Sequence, residues 1–424
     1  MRGCPRIQSF RACEGLAFIA PFIRPRRQFS SRAYERVEVR CGSAGSVTID
    51  LRNIANHSPQ SPLFVHLPPF PSNDGVPAPL PDFLADKPVA SINYRWASPY
   101  GAACAGHDSD AVTSQWPTPI HDTSFAYSWL VENLAPEGQQ RRDIYVYGSH
   151  LGGSLATSLS LTEAHPHMRI AVRGVISYNG VYNWTMFLPD HQTNRPSKRA
   201  KNPGPRRRQV EGSHFYRLQE LLPYLFRSPV DMFDPFVSPS LFFHNPGLLV
   251  PESYVMSAAE TAALEALVNP ESIMAEHVKV PRKSHLVFPP RQSTQKIPEA
   301  LFLYDSPVVP PSQPGRRRLA IGRGNTMESQ AVEIVELMRR SIEKVELKER
   351  EKWDDDLDMW EHEGERRVQV RSVGEEMSSL ELNAKGEARV EEWLSGRLRT
   401  STRGGGEEEE EEEKGGALIG MTST

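Results

Sequence analysis

The 424-residue sequence contains only four cysteines, which excludes a disulfide scaffold. No stretch approaches the run of about 18 apolar residues that a membrane-spanning helix needs. The net charge is −4, so the chain lacks the overall positive field that favours binding to nucleic acid. Apolar residues make up 38% of the chain, which is lean for this length but enough for a sizeable core. At roughly 100–200 residues per domain, the length allows two or three small domains or one large domain with insertions.

Proline is frequent, with 36 residues, so we expect part of the chain to form loops. A Pro-rich basic stretch from Arg195 to Arg208 interrupts the apolar pattern, and we interpret it as a solvated insertion loop. A nuclear-localisation or nucleic-acid-binding patch is the alternative. Seven consecutive glutamates, Glu407 to Glu413, lie in a Gly/Glu-rich tail that self-repulsion keeps unfolded. This tail either solubilises the protein or recruits a basic partner.

The first 34 residues have the composition of an organelle transit peptide. They contain seven arginines, no lysine and a single acid, Glu14. The segment Arg27 to Ser31 (RQFSS) resembles the end of a mitochondrial presequence. We therefore predict import into the mitochondrial matrix, where Cys41 and Cys104 would be free thiols. A basic arm on a cytoplasmic or nuclear protein is the alternative.

Strand-like and helix-like segments alternate along most of the remaining chain. Period-two alternation at 37–39 and 47–51 predicts half-buried antiparallel strands. Short apolar runs predict buried strands at 62–67 and 89–94, and further strands are predicted at 143–147, 170–178, 300–304 and 368–373. Helical spacing predicts helices at 120–134, 151–162, 215–225, 258–268, 327–348 and 387–398. This alternation predicts an α/β fold with a parallel sheet and right-handed crossovers.

The apolar spacing also predicts which side of a helix faces the core. In the segment 120–134, the residues Ile120, Phe125, Trp129 and Leu130 are the ones expected to pack inward.

A sharp turn between a buried strand and a helix carries the main functional motif. The segment Tyr147 to Gly153 (YGSHLGG) resembles the nucleophile elbow of α/β-hydrolases, whose pattern is G-x-S-x-G. In this register Gly148 and Gly152 are the two glycines, and they allow the strand and the helix to approach closely. His150 then stands at the position of the nucleophile, and Ser149 precedes it.

Three further segments resemble the hormone-sensitive-lipase-like branch of the same superfamily. They are Asn93 to Ala97 (NYRWA), Trp116 to Asp122 (WPTPIHD) and Asp234 to Pro239 (DPFVSP). The chain is identified as a divergent member of this branch, of a fungal type, with the resemblance covering about residues 45–400. It implies an α/β-hydrolase fold, in which helices flank a mostly parallel central sheet and a helical cap is inserted.

The domain organisation follows from the composition and the resemblance together. Residues 1–34 form the transit peptide, and residues 35–192 form the first part of the hydrolase-like core. Residues 193–270 contain the basic insertion and the helical cap, and residues 271–400 complete the core. Residues 401–424 form the acidic tail.

The residues that the family mechanism needs are replaced at three of four positions. Acyl transfer requires a nucleophile, a general base, an orienting acid and an oxyanion hole. His150 replaces the nucleophile, and a histidine tolerates the positive φ of an elbow. The strand that leads to the oxyanion loop ends in His66 to Pro69, and proline has no N–H to donate.

The base and the acid differ in how well they are preserved. The family histidine follows the last strand, where this chain has Val373 to Glu376 and no histidine nearby. Asp305 follows a core strand and can occupy the place of the orienting acid. With three functions replaced, the sequence predicts a fold that is kept without serine-hydrolase chemistry.

The sequence therefore predicts a binding or scaffolding pseudoenzyme, and the alternative is a carboxylic-ester hydrolase with a non-standard site. We expect a small apolar or ester-like ligand lined by His66, Gly148, Leu151 and Gly152. His150 either fills the former active-site cavity or acts as a neutral base at the helix N-terminus. No HExxH or CxxC motif is present, so no metal is expected, and no cofactor, nucleic acid or specific protein partner is indicated.

Overall fold

The computed structural model of the protein describes residues 34–71, 76–97, 114–194, 213–248, 263, 266–267, 287–306, 324–348, 362–377 and 379–398. The predicted transit peptide, apart from Tyr34, the basic stretch and the acidic tail lie outside these residues. So does the predicted cap helix at 258–268, apart from residues 263 and 266–267.

The described residues form an eight-stranded sheet with the order β1-β2-β4-β3-β5-β6-β7-β8. Each predicted strand is present, and its observed ends differ from the predicted ends by no more than two residues. The strands are β1 Glu35–Arg40, β2 Ser46–Arg52, β3 Leu63–Leu67, β4 Val89–Asn93, β5 Arg142–Ser149, β6 Ile170–Tyr178, β7 Glu299–Ser306 and β8 Val368–Glu375.

The sheet is antiparallel at one edge and parallel elsewhere. β1 pairs with β2, and β2 pairs with β4, both antiparallel. β4, β3, β5, β6, β7 and β8 follow in parallel pairings. The short edge strands alternate polar and apolar side chains, whereas the central parallel strands are apolar runs because helices cover both of their faces. The carboxyl ends of the parallel strands therefore meet at one edge, where the elbow lies.

Five of the six predicted helices are present, the sixth lies largely outside the described residues, and one short helix, Glu363–Arg367, was not predicted. The helices are α1 Thr118–Asn133, α2 His150–Glu163, α3 His214–Leu225, α4 Met327–Ser341 and α5 Glu363–Arg367, followed by α6 at 384–398. A π-helical stretch, Ile342–Leu347, continues α4 and completes most of the predicted helix at 327–348. Within the described residues, none of the helices has both the length and the apolar character needed to cross a membrane.

Two hydrophobic clusters lie on opposite faces of the sheet. Val146 of β5 belongs to the larger cluster, which includes residues of α1, α2, α3 and α4. Its neighbours Tyr145 and Tyr147 belong to the smaller cluster, which includes Trp393 and other residues of α6. This alternation along one strand is the period-two side-chain pattern of a sheet covered on both faces. The predicted α/β-hydrolase fold, a mostly parallel sheet flanked by helices, is thus confirmed.

Segments that carry the family resemblance are joined by buried polar contacts. Asp122 at the start of α1 is fully buried, and its Oδ1 lies 2.6 Å from Nη2 of Arg95. The Trp116 indole donates a hydrogen bond of 3.1 Å to Oδ2 of Asp234. These contacts attach α1 and the residues just before it to the end of β4 and to the segment that follows α3.

The predicted core face of α1 is wrong at one residue. Leu130 is buried, but Phe125 is 43% exposed. The helix instead buries Asp122, Thr123, Ala126 and Tyr127. The inward face is set partly by the buried Arg95–Asp122 pair, which apolar spacing alone does not reveal.

Candidate active site at the strand-to-helix turn

The turn between β5 and α2 has the geometry of a nucleophile elbow. Ser149 ends the strand with an extended backbone, φ −132°. His150 begins the helix with φ 50°, in the left-handed region that glycine, asparagine, aspartate and histidine adopt more readily than other residues. The structure therefore places residue 150, and not residue 149, at the position that a nucleophile occupies in this type of turn.

Gly148 and Gly152 hold the strand and the helix in close contact. A Cβ atom on Gly148 would overlap the carbonyl oxygen of Gly152, and one on Gly152 would overlap the carbonyl oxygens of Leu67 and Pro68. Any larger residue would push α2 away from β5 and β3. The two glycines thus fix the register of the elbow.

The His150 side chain is fully buried among three rings. Its centroid lies 5.9 Å from that of Phe70, 5.8 Å from that of Tyr178 and 5.1 Å from that of His214. Burial, assisted by the charge of His214, lowers the pKa of His150 to about 3. His150 is therefore a neutral imidazole at physiological pH. Its Nδ1 atom has no hydrogen-bond partner among the described residues.

His214 is a site residue that the sequence did not reveal. It is the first residue of α3, and its Nδ1 lies 3.3 Å from Nε2 of His150. The sequence showed no histidine near Val373–Glu376, and in the structure the imidazole beside residue 150 comes from α3 instead. His214 is 64 positions away from His150, so no local spacing relates the two. The only available signal was the capping serine Ser213 in front of an amphipathic stretch.

Glu376 connects His214 to the end of β8. Its carboxylate accepts a hydrogen bond from the backbone N–H of His214, and its Oε1 lies 3.7 Å from Nδ1 of the same residue. The backbone N–H of Glu376 donates to the carbonyl of Ser306 at 3.0 Å. This segment is where the family resemblance places the catalytic histidine. Here a carboxylate occupies the segment and the imidazole comes from the cap.

Asp305 lies at the end of β7, buried in a hydrogen-bond network. Its Oδ2 accepts hydrogen bonds from the Tyr178 hydroxyl at 2.6 Å and from Nδ2 of Asn179 at 2.9 Å. Burial raises the pKa of Asp305, although these two hydrogen bonds and the nearby His214 oppose the shift. Its Oδ1 has no hydrogen-bond partner among the described residues. Asp305 is therefore oriented by Tyr178 and Asn179.

The place of the oxyanion hole is filled by the chain itself. In this type of site, the N–H of the residue after the nucleophile stabilises the oxyanion. Here the Leu151 N–H donates to the carbonyl of Pro69 at 3.2 Å. The adjacent carbonyl, that of Pro68, accepts a hydrogen bond of 2.9 Å from the Tyr94 hydroxyl. The segment after β3 thus presents carbonyl oxygens to the elbow, where an active site needs donors.

His66 is held within the sheet. Its Nδ1 lies 2.9 Å from the Ser91 hydroxyl of β4, and its ring stacks on Tyr147 with centroids 5.8 Å apart. Among the described residues, no hydrogen bond or ring contact joins His66 to His150. Burial lowers the pKa of His66 to about 3. Of the four residues expected to line a ligand, Gly148, Leu151 and Gly152 form the elbow and His66 lies beside it in the sheet.

The cluster of His150, His214, Glu376 and Asp305 does not form a metal site. Across the described parts of the chain, no group of three His, Cys, Asp or Glu side chains is arranged to hold a metal ion. The imidazole pair and the carboxylates can exchange hydrogen bonds and hold a proton. None of these four side chains carries a hydroxyl that could act as a nucleophile. The Leu151 N–H beside them is already bonded to Pro69.

Comparison with known proteins gives likeness of fold only. No family model and no curated protein matches the chain. Among solved structures, carboxyl esterase 2 from the mycorrhizal fungus Tuber melanosporum is 12% identical, with 89% of this chain and 90% of that chain covered and a TM-score of 0.43. A hormone-sensitive lipase from a metagenome library is 12% identical, with 86% of each chain covered and a TM-score of 0.40. An esterase from Rhizomucor miehei is 10% identical, with 87% of this chain and 82% of that chain covered and a TM-score of 0.42.

Proposed function

We propose that this protein is a binding pseudoenzyme, an α/β-hydrolase-like protein without serine-hydrolase activity. The observation that carries the proposal is that the turn differs from an active elbow in two ways at once. His150 occupies the nucleophile position, and the Leu151 N–H beside it is already bound by the Pro69 carbonyl. Removing one oxyanion donor costs about 10²–10³ in rate. The loss of the nucleophile is independent of that cost.

The proposed ligand is a small apolar or ester-like molecule. Phe70 and Tyr178 flank His150 with their rings and provide apolar contact surface. No charged group of the ligand is required, because the ionisable residues near His150 already contact one another. Binding without turnover is the behaviour expected when such a site lacks a nucleophile and an oxyanion donor but keeps apolar rings around the turn.

A fluorophosphonate probe tests the proposal, because it labels only an activated serine. We expect no labelling of the purified protein and no turnover of short p-nitrophenyl esters. Ser149→Ala serves as the matched control, since Ser149 is the one hydroxyl adjacent to the elbow residue. Labelling that is present in the parent protein and lost in Ser149→Ala would show that the elbow retains a serine nucleophile, and would overturn the proposal.

The second candidate function is an ester hydrolase with a non-standard site. The observation that favours it is the contact of His150 with His214 and of His214 with Glu376, which places two imidazoles and a carboxylate in sequence. Such a site would hydrolyse esters without reacting with fluorophosphonate. Ester turnover that His214→Phe abolishes and Ser149→Ala preserves would favour this candidate over the pseudoenzyme.

A further inference from the structure

Resting on the proposed function, we infer that the elbow binds an uncharged carbonyl compound whose oxygen accepts a hydrogen bond from Nδ1–H of His150. The nucleophile position would thereby have become a hydrogen-bond donor.

The tautomer follows from the three atoms that meet at His214. Its Nδ1 lies 3.3 Å from Nε2 of His150 and 3.7 Å from the Glu376 carboxylate. If this Nδ1 carried no proton, its lone pair would face a carboxylate oxygen, which is repulsive. We therefore assign the proton to Nδ1 of His214, which donates to Nε2 of His150.

His150 must then carry its own proton on Nδ1. The imidazole is neutral, since burial lowers its pKa to about 3, and its Nε2 is already an acceptor. The resulting Nδ1–H is buried and has no acceptor among the described residues. A buried donor left without a partner is destabilising, so an acceptor oxygen placed there gains a hydrogen bond at little further desolvation cost.

The surroundings favour an uncharged acceptor over an anion. The Glu376 carboxylate lies 3.7 Å from Nδ1 of His214. The Asp305 carboxylate accepts a hydrogen bond from Tyr178, whose ring packs against His150. A carboxylate ligand at His150 would add a further negative charge beside them. A neutral carbonyl supplies the acceptor without that repulsion. Since the Leu151 N–H donates to Pro69, the bound carbonyl receives one hydrogen bond at this turn and meets no hydroxyl nucleophile. The compound is therefore held intact.

Two probes of one skeleton test this inference, phenylacetamide and phenylacetate. The protein is labelled with ¹⁵N-histidine, and the ring-nitrogen resonances are followed during titration. We expect the Nδ1–H tautomer for His150, a shift of its Nδ1 resonance with phenylacetamide, and at least ten-fold weaker binding of phenylacetate. An Nε2–H tautomer, or equal or tighter binding of phenylacetate, would overturn the inference.

Variants at residue 150 separate the donor from the shape of the ring. His150→Asn keeps an N–H donor and tolerates the positive φ, so it should bind phenylacetamide within a few-fold of the parent. His150→Phe keeps a planar ring without a donor and should lose ten-fold or more. If His150→Phe does not fold, the titration of the parent protein alone decides. Equal affinity of folded Asn and Phe variants would overturn the inference.

The same samples distinguish this inference from the proposed function. The phenol ester of acetic acid (phenyl acetate, not the carboxylate probe above) is added, and the release of phenol is followed. Turnover of that ester overturns the pseudoenzyme. Absence of turnover together with no preference for phenylacetamide overturns only the assignment of His150 as the donor.

Discussion

A single histidine at residue 150 preserves the shape of the elbow while changing its chemistry. The φ of 50° is tolerated by few side chains, and the two glycines of the turn leave no room for the backbone to relax. The replacement therefore keeps the strand–turn–helix geometry. In place of a hydroxyl it presents a neutral imidazole whose Nε2 contacts the cap helix through His214. The turn thus makes a contact between α2 and α3.

Restoring serine at this position should not create an efficient esterase. In His150→Ser the hydroxyl ends much closer to the backbone than Nε2 of the imidazole does, so we expect it to lie beyond hydrogen-bond reach of His214. General-base assistance is typically worth about 10²–10⁴ in rate. The Leu151 N–H also stays bound to Pro69, which withholds a further factor of about 10²–10³.

The measurement is turnover of short p-nitrophenyl esters by His150→Ser and by the parent protein. We expect neither to approach the 1–10³ s⁻¹ that is typical of enzymes, to order of magnitude. Turnover in that range by the serine variant would show that His214 moves to act as the base and that the Pro69 carbonyl is displaced.

The sequence predicted some residues of this site and could not predict others. His150 and the two glycines lie within one short motif, and Asp305 follows directly from an apolar strand, so local pattern was sufficient. His214 reaches the site only because a cap helix folds back onto the elbow. The sequence also did not predict that the Pro69 carbonyl accepts the hydrogen bond of the Leu151 N–H. Pro68 and Pro69 showed in the sequence that backbone N–H donors were missing after β3. Only the folded structure shows that the Pro69 carbonyl accepts the Leu151 N–H there.

At the scale of elements, the contact between β5 and α2 depends on two glycines rather than on side-chain interlocking. Gly152→Ala should destabilise the fold by about 3 kcal/mol, because its Cβ would overlap two backbone carbonyls that cannot move independently of β3. Urea-induced unfolding, followed by circular dichroism, measures the change.

Gly396→Ala provides the matched control for the same substitution. Gly396 is exposed on α6, and nothing lies within 4 Å of the added Cβ. Replacing a helical glycine by alanine should increase stability by up to about 1 kcal/mol. If the two variants changed stability alike, the close approach of α2 to β3 would not be the cause of the effect at Gly152.

Elements were predicted more accurately than the faces they present. Strands such as β3 are short apolar runs, so their limits follow from composition and period. The face of α1 did not follow, because Asp122 points inward to Arg95 while Phe125 is exposed. The buried Asp122 carboxylate, paired with the half-buried Arg95, reverses the usual assignment of polar residues to the outside. Nothing in the spacing of one helix reveals a partner that lies on another element.

At the scale of the whole molecule, we propose that residues 1–31 direct mitochondrial import and contribute nothing to the fold. Their arginine content is difficult to bury and shows no periodic core pattern. A chain lacking them should fold with an unchanged unfolding midpoint but stay out of mitochondria. Fractionation of cells that express the full-length and shortened chains measures this, and mitochondrial accumulation of the shortened chain would contradict the proposal.

The stability of the whole molecule should fall as the pH is lowered from about 6.5. Burial lowers the pKa values of His66 and His150 from 6.5 to about 3, so the folded state keeps both imidazoles neutral. Below pH 6.5 the unfolded chain binds protons that the folded chain rejects, and stability is lost until the pH reaches about 3. Each histidine should cost about 1 kcal/mol over the first pH unit below 6.5.

Variants isolate this contribution from that of the carboxyl groups. The raised pKa of Asp305 acts in the opposite direction, because its protonation at low pH relieves a buried charge. We therefore compare urea unfolding at pH 7.5 and pH 5.5 for the parent, His66→Asn and His167→Asn. His66→Asn lacks one suppressed imidazole but can still bond Ser91, so its loss of stability on acidification should be smaller by about 1 kcal/mol. His167 is exposed, and its variant should lose as much as the parent does. An equal loss in all three proteins would mean that the folded state can protonate His66, which is incompatible with the sealed packing of β3 against β4 and β5.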